Sequence, residues 1–476
     1  MMKRLKYHMI TAFLGLLLAS CAVGPDYEKP ETKLPDSWKA ADGKDAQAEV
    51  EQTWWQNFND PTLSQLIDKA LAGNYDLKIA EARISSARAA RFSADTALLP
   101  TGDAKGSVTR EANQLPVPVS FPGISDPFDI YQTGFDASWE LDLFGGKKRA
   151  LEAATYDLQA SEASFGDARV SLLAEVARTY VDIRQYQAQL KIAEATVAAD
   201  QHTLDITKQR VEAGTAAGLD ATQAEALLNE AETQIANYNS QLTQAEYGMD
   251  LLLGEQPGAA QSIISDAGSV PAASKKLILA APAAVIDNRP DIKMAERKLA
   301  SATAQQGVAT AQFYPDISLS GFVGLLNTNA ANLATNASKS WMLGGSVLWP
   351  ILSFGKLEAN LESADAAQQE AMVTYQKTII AALSDVEKSV TAYTQQEKFH
   401  DSLTKSVDGN RHASDIARQR YKEGMTSFLE VLDADRTLYT SQIKQAQSDA
   451  DTTRDLIAVY KSLGGGWEPA ATVATK

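Results

Sequence analysis

Apolar residues recur every seven positions along one long stretch of this chain. Leu151, Leu158, Phe165 and Leu172 are followed, after a four-residue step, by Val176, Ile183, Leu190, Val197, Leu204 and Val211. A sustained seven-residue period predicts helix wound in a left-handed supercoil, and the shorter step reads as a stutter. From Lys147 to Val211 there is no proline, and Gly166 is the lone glycine. One helix of about 100 Å is therefore expected at 1.5 Å per residue. The register returns at Leu361, Tyr375, Val386, Tyr393, Val407 and Tyr421.

A period of two marks other segments. Phe135, Ala137, Trp139, Leu141 and Leu143 alternate with Asp136, Ser138, Glu140 and Asp142. Such a strand has one apolar and one charged face. Ile317, Leu319, Gly321, Val323 and Leu325 alternate less cleanly with Ser318, Ser320, Phe322 and Gly324, and weaker alternation runs through Ala104 to Val108 and Trp341 to Trp349. Two readings fit: a half-buried sheet in water, or membrane strands with lipid outside and water inside. Trp139, Trp341 and Trp349 suit interfacial belts. No stretch after the N-terminus approaches the 18 or so apolar residues of a spanning helix, so a membrane would be crossed by strands. Four strands per chain are too few to close a barrel, since about 8 is the smallest number, and open edges are not tolerated in lipid. The barrel would be shared between chains: two would fill it with side chains, and three would leave a lumen.

The chain repeats itself. Phe144-Gly145 returns as Phe354-Gly355, Leu151-Glu152 as Leu361-Glu362, and Gln209-Arg210 with Gly214 as Gln419-Arg420 with Gly424. Leu219 matches Leu429, Asp220 matches Glu430, and Leu253-Gly254 matches Leu463-Gly464, always about 210 residues apart. Upstream the offset is about 215: Asp76-Leu77 matches Asp291-Ile292, Ala80-Glu81 matches Ala295-Glu296, and Pro100 matches Pro315. The five-residue difference must lie between Pro100 and Phe144, where the strands and their loop are placed. Each half then reads helix, strand, loop, strand, very long helix, tight turn, helix.

Charge and the N-terminus narrow the class. The net charge of −16 argues against nucleic acid, which needs a clustered basic surface. Lys3, Arg4 and Lys6 precede an apolar run from Met9 to Ala19, the layout of a signal peptide. Leu18-Ala19-Ser20-Cys21 resembles a lipobox, which makes Cys21 the expected lipid attachment point. Cys21 is the single cysteine, so no disulfide is possible within the chain. Ala22, and not Asp, follows it, as in lipoproteins sorted to the outer membrane. Of four histidines, His8 lies in the signal peptide, and His202 and His412 are repeat equivalents on helices. His400 occupies the heptad position equivalent to Leu190, where packing is the expected role. With no metal cluster, nucleophile constellation or phosphate loop, neither an enzyme nor a cofactor is expected.

These features resemble the TolC superfamily of outer-membrane channels, in its NodT/OprM-like lipoprotein branch. Cys21, Gly24, Pro25, Tyr27 and Pro30 carry the resemblance at the mature start, followed by Trp54-Trp55, Phe58, Asp60-Pro61, Leu63, Leu66-Ile67, Ala70-Leu71 and Asn74. Arg289-Pro290-Asp291-Ile292, with Phe313, Pro315, Ile317, Leu319 and Gly321, is its most specific block. The resemblance implies a mainly α fold with a β-barrel part: a periplasmic tunnel of coiled hairpins, and four strands per chain in a trimeric barrel of about 12 strands.

The layout it implies begins with a signal peptide at 1–20 and a lipid-anchored extension at 21–60. A first repeat then covers 61–254, an equatorial connection 255–284, a second repeat 285–464 and a tail 465–476. Implied partners are two further copies of the chain, outer-membrane lipid, a periplasmic adaptor and an inner-membrane pump. The adaptor would dock at the turns carrying Gly214, Leu219, Asp220, Gly424 and Leu429. Glu430 and Asp433 resemble acidic rings of a periplasmic gate, with Tyr421 helping to hold it shut. Thr426 stands where some relatives carry a latching arginine. Phe135, Trp139 and Leu141 are the expected membrane-facing positions. Two alternatives stay open: a protein-secretion channel of the same superfamily, and a structural coiled-coil lipoprotein of the periplasm.

Overall fold

The computed structural model describes residues 22–41, 46–47, 50–112, 127–264, 268–272 and 279–467. The expected signal peptide, Cys21 and residues 468–476 of the tail lie outside them. In chain order the elements begin with β1 (Ala46–Gln47), α1 (Pro61–Gly73), α2 (Tyr75–Thr96), β2 (Thr101–Glu111) and β3 (Phe128–Leu141). They continue with α3 (Gly146–Glu212), α4 (Gly218–Leu253), α5 (Ala259–Ile263), β4 (Leu279–Ala280) and α6 (Pro282–Asn288). The second half holds α7 (Pro290–Ala311), β5 (Asp316–Asn327), β6 (Lys339–Leu348), α8 (Lys356–Lys422) and α9 (Phe428–Ser462).

Local chemistry accounts for where these elements start. Asp60 caps α1 by accepting from the backbone N–H groups of Thr62 and Leu63, with Pro61 in the first helical position. Leu63, Leu66, Ile67 and Ala70 then bury one stripe of that helix. Asn74 caps α2, its side-chain oxygen accepting from the Asp76 and Leu77 N–H groups.

The duplication is visible in the backbone. Gly145 and Gly355, Gly214 and Gly424, and Gly254 and Gly464 all adopt positive φ, between +70° and +85°. Both very long helices contain 67 residues. The connection between β2 and β3 spans residues 112–127 and that between β5 and β6 spans 328–338, which places the five-residue difference in the loop. Trp139 donates its indole N–H to the Leu98 carbonyl, and its counterpart Trp349 does the same to Phe313.

The chain divides into two compact units. The strand unit comprises residues 1–30, 83–161 and 295–375. Its antiparallel sheet has the order β2-β3-β5-β6, leaving β2 and β6 at the edges. Two expectations need correction. Leu143 lies beyond β3, with its N–H turned back to the Leu141 carbonyl. Phe322, on the nominally polar side of β5, is buried, because its ring lies against the directly paired Gly134 and Gly324.

The helical unit comprises residues 31–82, 162–294 and 376–476. Its core gathers Leu172, Val176, Ile183 and Val386 from the heptad positions with the stripe of α1 and Trp54. Trp54 is fully buried and stacks on Tyr460 at 5.3 Å. Gly166 is explained by packing: the Trp467 ring occupies the space a Cβ would take. β1 and β4 pair in parallel as a two-stranded patch. Among the described residues, no helix is long and apolar enough to cross a membrane.

Candidate functional site

The helical unit carries two hairpin turns, 213–217 and 423–427, built to one design. Gly214 and Gly424 take the left-handed conformation just beyond each helix. The next N–H, from Thr215 or Met425, returns to the carbonyl of Arg210 or Arg420 at 2.8 Å in both cases. This satisfies a helix-end carbonyl that would otherwise lack a partner. Leu219 and Leu429 fall in the first turns of α4 and α9, not in the turns themselves, and each is 64% exposed. Asp220 sits beside Leu219, partly exposed.

Tyr421 is the buried centre of the second hairpin. It packs with Phe428 at 5.6 Å, and with Leu204, Ala224, Leu228 and Val431. The Arg210 guanidinium stands 4.4 Å from the ring centre and donates to the Tyr421 carbonyl at 2.6 Å. The hydroxyls of Tyr421 and Thr426 are buried without a hydrogen-bond partner among the described residues. Within one chain, Tyr421 therefore engages its neighbours through its ring and backbone. Sequence reasoning missed Arg210, although its return as Arg420 was a usable signal. Glu430 and Asp433 are exposed and lie three residues apart, on one side of α9.

Other polar links tie α8 to α9. Arg418 donates to both oxygens of buried Asp435, at 3.0 and 3.1 Å, and Ser414 donates to one of them at 2.6 Å. His400 corrects the packing expectation, since its Nε2 bonds Asp449 at 2.7 Å. The heptad position leaves it half-buried, so the ring reaches a carboxylate on the neighbouring helix.

In the strand unit Phe135 and Trp139 are exposed and Leu141 is partly buried, while Asp136 and Glu140 point toward Lys105 and Lys147. The first described residues are clamped where β3 meets α3. Val23 donates to the Phe144 carbonyl at 3.0 Å. Arg149, almost wholly buried, reaches the Val23 and Gly24 carbonyls and the Asp26 carboxylate, the last at 2.6 Å.

Duplicated long hairpins and a four-stranded sheet with two free edges define the outer-membrane channels of efflux systems. The family profile described as outer membrane efflux protein matches residues 66–255 and 281–465, and the chain belongs to that family. It is 32% identical to the solvent efflux pump outer membrane protein SrpC of Pseudomonas putida, over 97% of this chain and 99% of that one. It is 30% identical to nodulation protein T of Rhizobium leguminosarum bv. trifolii, over 97% and 98%. The solved outer-membrane channel OprN superposes with a TM-score of 0.87 at 33% identity, covering 94% of this chain and 100% of that one.

Proposed function

We propose that three copies of this chain close one barrel in the outer membrane, and that the assembly is a passive duct for small molecules and not an enzyme. One observation carries the reading. Inside the chain the two repeats are joined by β3 against β5, with Trp139 opposite Leu319 and Ala137 opposite Gly321. The repeat-equivalent joint is β6 against β2, and both of those strands are free edges. A second copy supplies the missing partner, and lipid does not tolerate the edge left open. Carrying the β3–β5 register over by the two repeat offsets pairs Val347 with Gly106 of the next copy.

The clamped residues 22–26 support Cys21 as a lipid-bearing terminus held beside the strands. The exposed Leu219 and Leu429, with Gly214, Asp220 and Gly424, form the surface for a periplasmic adaptor that connects to an inner-membrane pump. Glu430 and Asp433, repeated by symmetry, would gather near the tunnel axis as a cation-attracting gate, with Tyr421 packing behind them. The repeats at 61–254 and 285–464 are the two halves of this plan, joined by residues 255–284.

The test is a disulfide. A chain carrying Val347→Cys and Gly106→Cys should give a covalent ladder ending at three chains under oxidation, and either single variant should not. Monomers alone from the double variant would refute the shared barrel in this register.

A further inference from the structure

In the helical unit, residues of α3, α4, α8 and α9 line a half-open cavity of about 540 Å³, a size ordinary for small-molecule sites. Ala195 and Ala199 of α3, Leu227 and Ala231 of α4 and Leu438 of α9 give it apolar walls. Five charged groups line it: Asp200, Glu230, Asp435, Arg418 and Arg436. Both bases are committed. Arg418 holds Asp435, and Arg436 pairs with Glu230 at 3.2 Å, where both side chains are more than half exposed.

Asp200 is left over. It is 2% exposed, and its Oδ2 is buried without a hydrogen-bond partner among the described residues. A carboxylate removed from water and left unpaired is expensive to maintain. Here the cost is met beside an open space with room for a counter-ion. The repeat does not reproduce the feature, since the counterpart of Asp200 is Asn410. The feature is thus specific to the first copy of the repeat.

We propose that this cavity binds a small organic cation, a primary ammonium on a compact hydrocarbon body. The ammonium supplies the charge and the N–H donors that Asp200 lacks, and the hydrocarbon covers the alanine and leucine walls. Burial pushes Asp200 up to about 6, with Asp435 adding to the rise and Arg418 opposing it. Glu230 and Arg436 also face the cavity, as a pair. Binding should accordingly be strongest above pH 6 and fade as Asp200 takes up a proton, because the ammonium remains charged throughout.

The experiment is calorimetric titration of the purified full-length protein with cyclohexylammonium, using cyclohexanol as the neutral match. Saturable binding of the ammonium at pH 7.5 is expected, at least tenfold weaker for cyclohexanol and at least tenfold weaker at pH 5. Asp200→Asn should lose the same factor. Ala199→Leu, which fills the space and keeps the acid, should abolish binding. Should Asp200→Asn fail to fold, the pH profile and Ala199→Leu still decide. Absent saturation, equal affinity for cyclohexanol, a flat pH profile, or unchanged binding in either folded variant would overturn the proposal.

Discussion

Each chain makes one joint between its two repeats and leaves the equivalent joint open. At the joint it makes, Phe144 stacks on Tyr314 at 4.7 Å, and Gly145 lies against Ala22. At the open one, Phe354 is 95% exposed, Gly355 has open space beside it, and Leu99, the counterpart of Tyr314, is also exposed. The hairpin ends differ in the same way: Arg210 reaches Tyr421, while Arg420 is exposed. The local backbone is the same in both copies, so the difference comes from what each copy meets. Buried apolar area and satisfied carbonyls at one joint predict what a neighbour should supply at the other.

The largest contrast is expected at the paired glycines. A Cβ at Gly324 would approach the Gly134 Cα to 2.7 Å, under the ring of Phe322. Gly324→Val should cost about 1–3 kcal/mol through overpacking and reduce the yield of heat-resistant oligomers on unboiled gels. Gly344, the counterpart of Gly134, has only Ser320 Oγ near, at 3.5 Å. Gly344→Val should leave strand pairing within the chain intact, and equal losses from both would break the comparison.

A middle effect is expected at Arg149. Its counterpart is Ala359, so the second copy folds without such a clamp. Arg149→Ala should remove about 1–3 kcal/mol of charged hydrogen bonding and speed proteolysis within residues 22–38. Protection equal to the parent protein would show that the remaining contacts hold the segment alone.

The smallest effect is expected at the hairpin ends. Arg210→Ala loses a ring contact and a charged hydrogen bond, about 1–2 kcal/mol. Hydrogen exchange in the turn 423–427 should quicken and single-channel current rise modestly. Arg420→Ala should alter only what depends on neighbouring copies. Faster exchange in the same turn from Arg420→Ala would remove the asymmetry.

The sequence by itself determined the repeat, its two offsets, the presence of a very long helix in each half and the position of the loop that differs, while the structure set the helix length at 67 residues in both. These follow from short-range rules: heptad spacing, alternation and glycine at left-handed turns are properties of neighbouring residues. It also pointed to Tyr421, which lies on the heptad register. Only the tertiary structure decided that Arg210 meets Tyr421, that Asp435 is taken by Arg418 and Ser414, and that Asp200 Oδ2 has no hydrogen-bond partner among the described residues. It also turned His400 from a packing residue into a partner of Asp449. A charged side chain's role depends on which distant helix faces it, and the heptad pattern reports that a seam exists without saying which polar groups share it. Asp200 shares its seven-residue line with Ala193 and Thr207, all three buried. Its neighbours from α8 and α9 are more than two hundred residues away along the chain, so packing alone assigns them.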